Sequence, residues 1–200
     1  MKEIEKEIKK EITESIKIAE KNNELIPEIK KAIDIIVCAI KKGNKIIIFG
    51  NGGSAADAQH IAAELIGRFQ KERKSYPAIA LTTDTSVLTS LGNDYSFETI
   101  FSRQCESLVL KNDVVIGIST SGNSINVLNG LKKSKEKNGK IISLLGNKGG
   151  KIKKISDIAI IVDSNVTSKI QESHRIIYHI ICKIVENNVE GIKNGKKYTK

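Results

Sequence analysis

After residue 44 the chain repeats one pattern: a short unbroken apolar run, a loop of small polar residues, then a stretch with helical periodicity. The runs are KIIIF (45–49), AIAL (78–81), DVVIGI (113–118), KIISLL (140–145) and DIAIIV (157–162). A strand with one wet face alternates apolar and polar residues. A run that is apolar at every position has both faces covered, as in a parallel sheet. Alternation of strand and helix adds right-handed βαβ crossovers. The expected fold is therefore α/β: a three-layer sandwich with a five-stranded parallel, flavodoxin-like sheet. Its helices are expected at about 54–68, 84–91, 95–110, 124–138 and 167–188.

An N-terminal helical pair precedes the sheet. Ile4, Ile8, Ile12 and Ile16 recur every four residues and so share one helix face. A second helix is expected at 24–42, with Pro27 tolerated in its first turn and Gly43-Asn44 ending it. The narrow isoleucine stripe is expected to pack on that second helix and on a neighbouring subunit, making the protein a homo-oligomer. The organisation read this way is a helical pair serving oligomerisation (1–43), an α/β domain (44–190) and a basic C-terminal tail (191–200).

Composition narrows the function classes. Two hundred residues with 40% apolar content suffice for one well-packed domain. Aromatics are 4% and Trp is absent, so Ile, Leu, Val and Ala must build the core. No run reaches the ~20 apolar residues of a membrane-spanning helix, and the charged start, MKEIEKEIKK, has no secretory h-region. Cys38, Cys105 and Cys182 are odd in number and far apart, which reads as three buried, inert thiols in a reduced cytoplasm. The net charge of +10 lies mostly on lysines at solvated places, with no interleaved aromatics and no nucleic-acid motif. Neither nucleic acid nor membrane is expected as a partner; a basic surface favours anionic substrates.

Ligands of such sheets bind at the carboxyl ends of the strands, near the point where strand order reverses. STSGNS (119–124) joins a strand to a helix and offers hydroxyls, a tightly turning glycine and the N–H groups of a helix start, a recipe for holding phosphate. An ordinary N-cap needs only one such side chain. GNGGSAADAQH (50–60) lacks both Walker and dinucleotide spacing, leaving a loop whose backbone can approach a polyhydroxylated ligand. GNKGG (146–150) reads as a turn. His60 and Glu64 share a helix face that Arg68 continues, and Gln171, Arg175 and His179 are likewise spaced by four. Either set alone reads as a solvated polar face. Together, imidazole, carboxylate and amide groups suit Zn²⁺. Glu64 and His179 are also the candidates for moving a proton between adjacent sugar carbons through an enediol.

These residues carry a resemblance. GNGGSAADAQHIAAELIGRF, TSLGNDYSFETIFSRQ, GISTSGNSINVL and IQESHRIIYHII, in this order, resemble the phosphoheptose isomerases of the sugar isomerase (SIS) superfamily over about 40–188. The resemblance implies conversion of sedoheptulose 7-phosphate to D-glycero-D-manno-heptose 7-phosphate, the first step toward nucleotide-activated heptose. It implies substrate contacts at Asn51, Gly52, Gly53, Glu64, Asn93, Asp94, Ser119, Thr120, Ser121, Ser124 and Gln171. It implies Glu64 as general base, His179 as its acid partner, and one zinc per subunit on His60, Glu64, Gln171 and His179. A homotetramer is implied as well. The rival is a non-catalytic SIS relative that binds the bacterial replication initiator, whose positions matching Glu64 and His179 carry residues unable to transfer the proton. An isomerase of another sugar phosphate is a further alternative.

Overall fold

The computed structural model describes residues 2–189; the tail at 191–200 lies outside the described residues. Helix α1 spans Lys2–Lys21, and a 3-10 turn at Asn22–Leu25 leads into α2, Ile26–Lys41. The sandwich follows as β1 (Ile46–Gly50), α3 (Gly53–Ile66), β2 (Ala78–Ala80), α4 (Thr85–Asp94), α5 (Ile100–Leu108), β3 (Val114–Ser119), α6 (Ile125–Glu136), β4 (Lys140–Leu145), β5 (Ile158–Ile161) and α7 (Thr167–Val189). The strands are all parallel in the order β2-β1-β3-β4-β5. The chain leaves β1 in one direction and β3 in the other, so the switch point lies between those two strands.

Unbroken apolar strands do what the pattern requires. Ile46 and Ile48 of β1 join one buried cluster with residues of α2, α3 and α7, whereas Ile47 and Phe49 join another with residues of α5 and α6. Alternate residues of β3 and β4 divide the same way, because successive strand side chains point to opposite faces. The sheet is thus a middle layer with both faces covered along β1, β3 and β4, whereas Ile79 of the edge strand β2 is exposed. Its α2–α3–α7 side brings a helix from early in the chain beside the last one.

Several expectations shift. The helix expected at 95–110 begins as a 3-10 turn at Phe97–Thr99 before α5. Helix α3 stops at Ile66 with Gly67 at its C-cap, so Arg68 lies beyond the helix, exposed and paired with Glu72 at 3.7 Å rather than continuing the His60–Glu64 line. Cys105 and Cys182 are buried, and desolvation pushes both thiols up to about 12. Cys38 is exposed instead, on the outward side of α2. A four-residue spacing cannot distinguish a helix face turned to the sheet from one turned away.

Helix α1 has no buried residue. Within the chain its main partner is α7 rather than the expected α2. Lys169, 6% exposed, reaches from α7 to the Ser15 hydroxyl (2.7 Å), the Glu11 carbonyl oxygen (3.2 Å) and the Glu11 carboxylate (3.1 Å). Ile4, Ile8, Ile12 and Ile16 remain 54–62% exposed. An open groove of about 1050 Å³ runs between α2 and α7, lined by Ile26, Ile29, Ile33, Ile176, Ile180 and Ile184 among others.

Candidate active site

The loop after β1 and the loop after β3 meet across the switch point. Asn51 and Asn126 exchange two amide hydrogen bonds (2.8 and 2.9 Å), pinning the first loop to the start of α6. In the second loop the Ser119 hydroxyl lies 3.0 Å from that of Ser124 and 3.5 Å from that of Ser121. Ser124 is the N-cap of α6, yet its side chain caps no backbone N–H. The Asn126 side chain takes the Val127 N–H instead (2.9 Å), leaving the N–H groups of Ile125 and Asn126 for an anion.

Gly122 shapes this loop. It has φ +66°, and a Cβ there would collide with the backbone of Gly149. The segment expected to be a mere turn therefore braces the serine loop. Ile152 donates its N–H to the Gly122 carbonyl (3.0 Å), and Lys151 donates its own to Asn123 Oδ1 (3.0 Å).

Helices α3 and α7 bring the titratable groups together. His60 Nε2 lies 3.0 Å from Glu64 Oε1 and 3.4 Å from His179 Nε2. Ligand atoms of the three side chains all lie within 4.8 Å of one another. Behind them, Asp57, 2% exposed, accepts at Oδ1 from Arg175 Nη2 (3.1 Å) and from the Tyr178 hydroxyl (3.2 Å). The phenol's only proton goes to Asp57, so it accepts from Arg175 Nε (3.1 Å) and from His60 Nδ1 (3.4 Å). Desolvation, followed by the Asp57 charge, pushes Tyr178 up to about 12 and keeps it a phenol.

This network assigns His60 its tautomer: proton on Nδ1, lone pair on Nε2. That lone pair then faces a carboxylate oxygen and a second imidazole nitrogen. Desolvation first, then the neighbouring His60, lowers the pKa of His179, which favours its neutral form. Three electron-pair donors converging this closely need a shared proton or a cation. Two imidazoles with one carboxylate is a donor set that suits zinc. The fit also includes what holds the ligands, since the Tyr178 contact to the far nitrogen of His60 is the orienting bond a ligating imidazole uses.

Gln171 is half-buried two turns before His179 on α7, with its amide against Gly53; a Cβ on Gly53 would strike it. Gly52, with φ +54°, and Gly53 open the cleft side of α3. Thr120 is half-buried, its carbonyl accepting from the Asn147 amide at 3.4 Å. Asn93 and Asp94 are exposed at the end of α4. They bond each other at 2.8 Å, and among the described residues no hydrogen bond ties them to the cluster.

Asp57, Asn126, Tyr178 and His174 were not singled out from the sequence. Asp57 precedes His60 by one turn and so falls on the same face, the one cue available. His174, fully buried, donates from Nε2 to the Leu145 carbonyl at 3.0 Å, while its Nδ1 has no hydrogen-bond partner among the described residues. Burial drops its pKa to about 4.

Comparisons with known proteins bear on the fold and the family. Residues 9–146 match the family model described as the SIS domain. The chain is 59% identical over 155 residues to a phosphoheptose isomerase of Aquifex aeolicus, covering 78% of this chain and 81% of that one. It is 54% identical over 182 residues to a phosphoheptose isomerase of Nitratiruptor, covering 90% and 97%. Among solved structures, the phosphoheptose isomerase of Neisseria gonorrhoeae superposes with TM-score 0.87 at 38% identity, covering 92% of this chain and 98% of that one. The enzyme from Francisella tularensis gives 0.88 at 35%, covering 93% and 99%.

His174 makes stability depend on pH. Its folded-state pKa lies below the ordinary 6.5, so the unfolded chain binds the extra proton. Stability should be intact above pH 6.5 and decline as pH falls toward about 4, by up to ~3 kcal/mol. Urea unfolding at pH 7 and pH 5 should show a drop of roughly 2 kcal/mol that the variant His174→Gln lacks. Equal slopes in both proteins would remove His174 as the cause.

Proposed function

The chain belongs to the SIS-domain phosphoheptose isomerases, and we propose that it converts sedoheptulose 7-phosphate to D-glycero-D-manno-heptose 7-phosphate. It is a sugar-phosphate isomerase of heptose biosynthesis. The observation that carries the finer reading is the convergence of Glu64 with His179, 115 positions later in the chain, within one cluster between α3 and α7.

In this reading Glu64 takes the proton from the sugar carbon next to the ketone and returns it to the neighbouring carbon. His179 serves the two oxygens, donating a proton where the enediol forms and recovering one as the aldehyde appears. The phosphate sits on Ser119, Thr120, Ser121 and Ser124 at the start of α6. Asn51, Gly52, Gly53, Asn93, Asp94, Glu64 and Gln171 bind the sugar chain. The half-buried setting of the cluster limits water near the reacting carbon and strengthens each polar contact.

His60, Glu64, Gln171 and His179 would hold one zinc. Zinc bound there would polarise the sugar's oxygens. Asp57 and Tyr178 fix the ring of His60, and so keep its Nε2 turned into the cluster.

We further read the protein as a homotetramer in the cytoplasm. The four exposed isoleucines of α1 and the apolar groove between α2 and α7 are both surfaces that a second copy of the chain would cover. The described cysteines are free, in keeping with a reduced compartment. Among the described residues no helix is long and apolar enough to cross a membrane.

Glu64→Gln should fold normally and lose at least ~10²-fold in turnover, followed by NMR of sedoheptulose 7-phosphate. Wild-type turnover in that variant would take Glu64 out of the mechanism, and activity untouched by exhaustive chelation would do the same for zinc. Replacing Ser119 and Ser121 together by Ala should raise KM for the phosphorylated sugar, and an unchanged KM would put the phosphate elsewhere. Light scattering should give four chains per particle; a monomer would leave the apolar groove unexplained.

A further inference from the structure

Glu186 and Arg73 form an ion pair whose side chains are 2% and 1% exposed. Among the described residues neither bonds to the side chains of His60, Glu64 or His179, yet the pair ties together both helices that carry them. Glu186 Oε1 accepts from the Phe69 N–H (2.9 Å) and Arg73 Nε (3.1 Å). Its Oε2 accepts from the N–H groups of Gln70 (2.9 Å) and Lys71 (3.0 Å). Arg73 directs its remaining donors mainly at the end of α3: Nη2 to the carbonyl of Glu64 itself (2.7 Å), Nη1 to those of Leu65 (2.9 Å), Gly67 (3.2 Å) and Lys74 (3.0 Å). Its guanidinium also covers the Tyr76 ring at 3.9 Å.

Buried ions persist only when paired and fully hydrogen-bonded. Meeting that demand dictates the path of residues 67–76, which must fold back from α3 onto α7. Glu186 follows His179 by seven residues, two turns along the same face. The backbone that Glu186 captures therefore passes beside His179. Phe69, the first amide captured, sets its half-buried ring 5.8 Å from the imidazole at an interplanar angle of 39°. Tyr178 lies 4.7 Å from that imidazole at 71°, centroid to centroid, so aromatic rings from two elements contact it.

We propose that Phe69, seated by the Glu186–Arg73 pair, is a positioning residue that fixes the plane of the His179 imidazole relative to Glu64. A plain structural role would call for the ion pair but not for a ring against the reacting histidine. The proposal rests on His179 belonging to the reacting site, as argued above.

The test compares Phe69→Ala, Phe69→Leu, Phe69→Tyr and His179→Ala, with thermal melts to confirm folding. Phe69→Ala and Phe69→Leu should lower kcat by about 10-fold or more and leave KM within about two-fold; Phe69→Tyr should restore kcat. His179→Ala should lose more than any of them. Wild-type kcat in Phe69→Leu, which keeps most of the apolar volume, overturns the proposal while leaving the site intact. Full turnover in His179→Ala overturns both. A second readout needs no substrate: with three histidines in the chain, ring signals in imidazole-labelled protein are readily assigned. His179 should give one sharp set in the wild type and Phe69→Tyr, and an exchange-broadened set in Phe69→Ala. Unchanged His179 signals in Phe69→Ala also sink the proposal.

Discussion

The site depends on charge neutralisation at two places where α3 meets α7. At one, Asp57 is stripped of water and balanced by Arg175 and the Tyr178 hydroxyl. At the other, Glu186 is balanced by Arg73 and three backbone N–H groups. His60, Glu64 and His179 lie between these ties along the two helices. An apolar contact would hold the helices together but would let them slide, since dispersion and burial have little directionality. Hydrogen-bonded ions do not slide, and an acid–base pair loses much of its effect when displaced by an ångström.

The fold was largely legible in the sequence because it rests on one-dimensional signals. Apolar at every position means a strand covered twice, and the five runs each appear as strands within a residue or two of the expected bounds. The site was legible only by halves. Four-residue spacing placed His60 with Glu64, and Gln171 with His179, but nothing local says that two helices more than 100 positions apart are neighbours. That follows from strand order, since α3 and α7 occupy one side of a sheet whose central strand is β3. The resemblance to a family supplied what spacing could not.

What stayed hidden were residues whose role depends on burial. Asp57 looks like one more polar residue in a glycine-rich stretch, and Tyr178 like an aromatic of a helix core. Glu186 reads as part of a charged helix end, though its carboxylate is enclosed. Cys38 fails in the other direction: it shares a helix with buried isoleucines, but a residue two positions from Ile36 and Ile40 falls off their face. The GNKGG segment was a turn to the eye, and only the close backbone approach at Gly122 reveals it as a brace.

The proposed function asks Glu64 to be ligand and base at once, and its surroundings bear on that conflict. A carboxylate that neutralises a cation is a weaker base, because the charged form is the one stabilised. Oε1 is the oxygen turned to His60 Nε2, at 3.0 Å, whereas Oε2 has no hydrogen bond among the described residues. The two demands therefore need not fall on one atom. Ligation through Oε1 would leave Oε2 to meet the carbon-bound proton, at the expense of some basicity. That loss matters least when the carbonyl beside the reacting carbon is itself polarised, since the proton to be removed is then more acidic. The neutral form favoured at His179 fits the same division, because an uncharged imidazole can hold a lone pair toward the cluster and an N–H elsewhere.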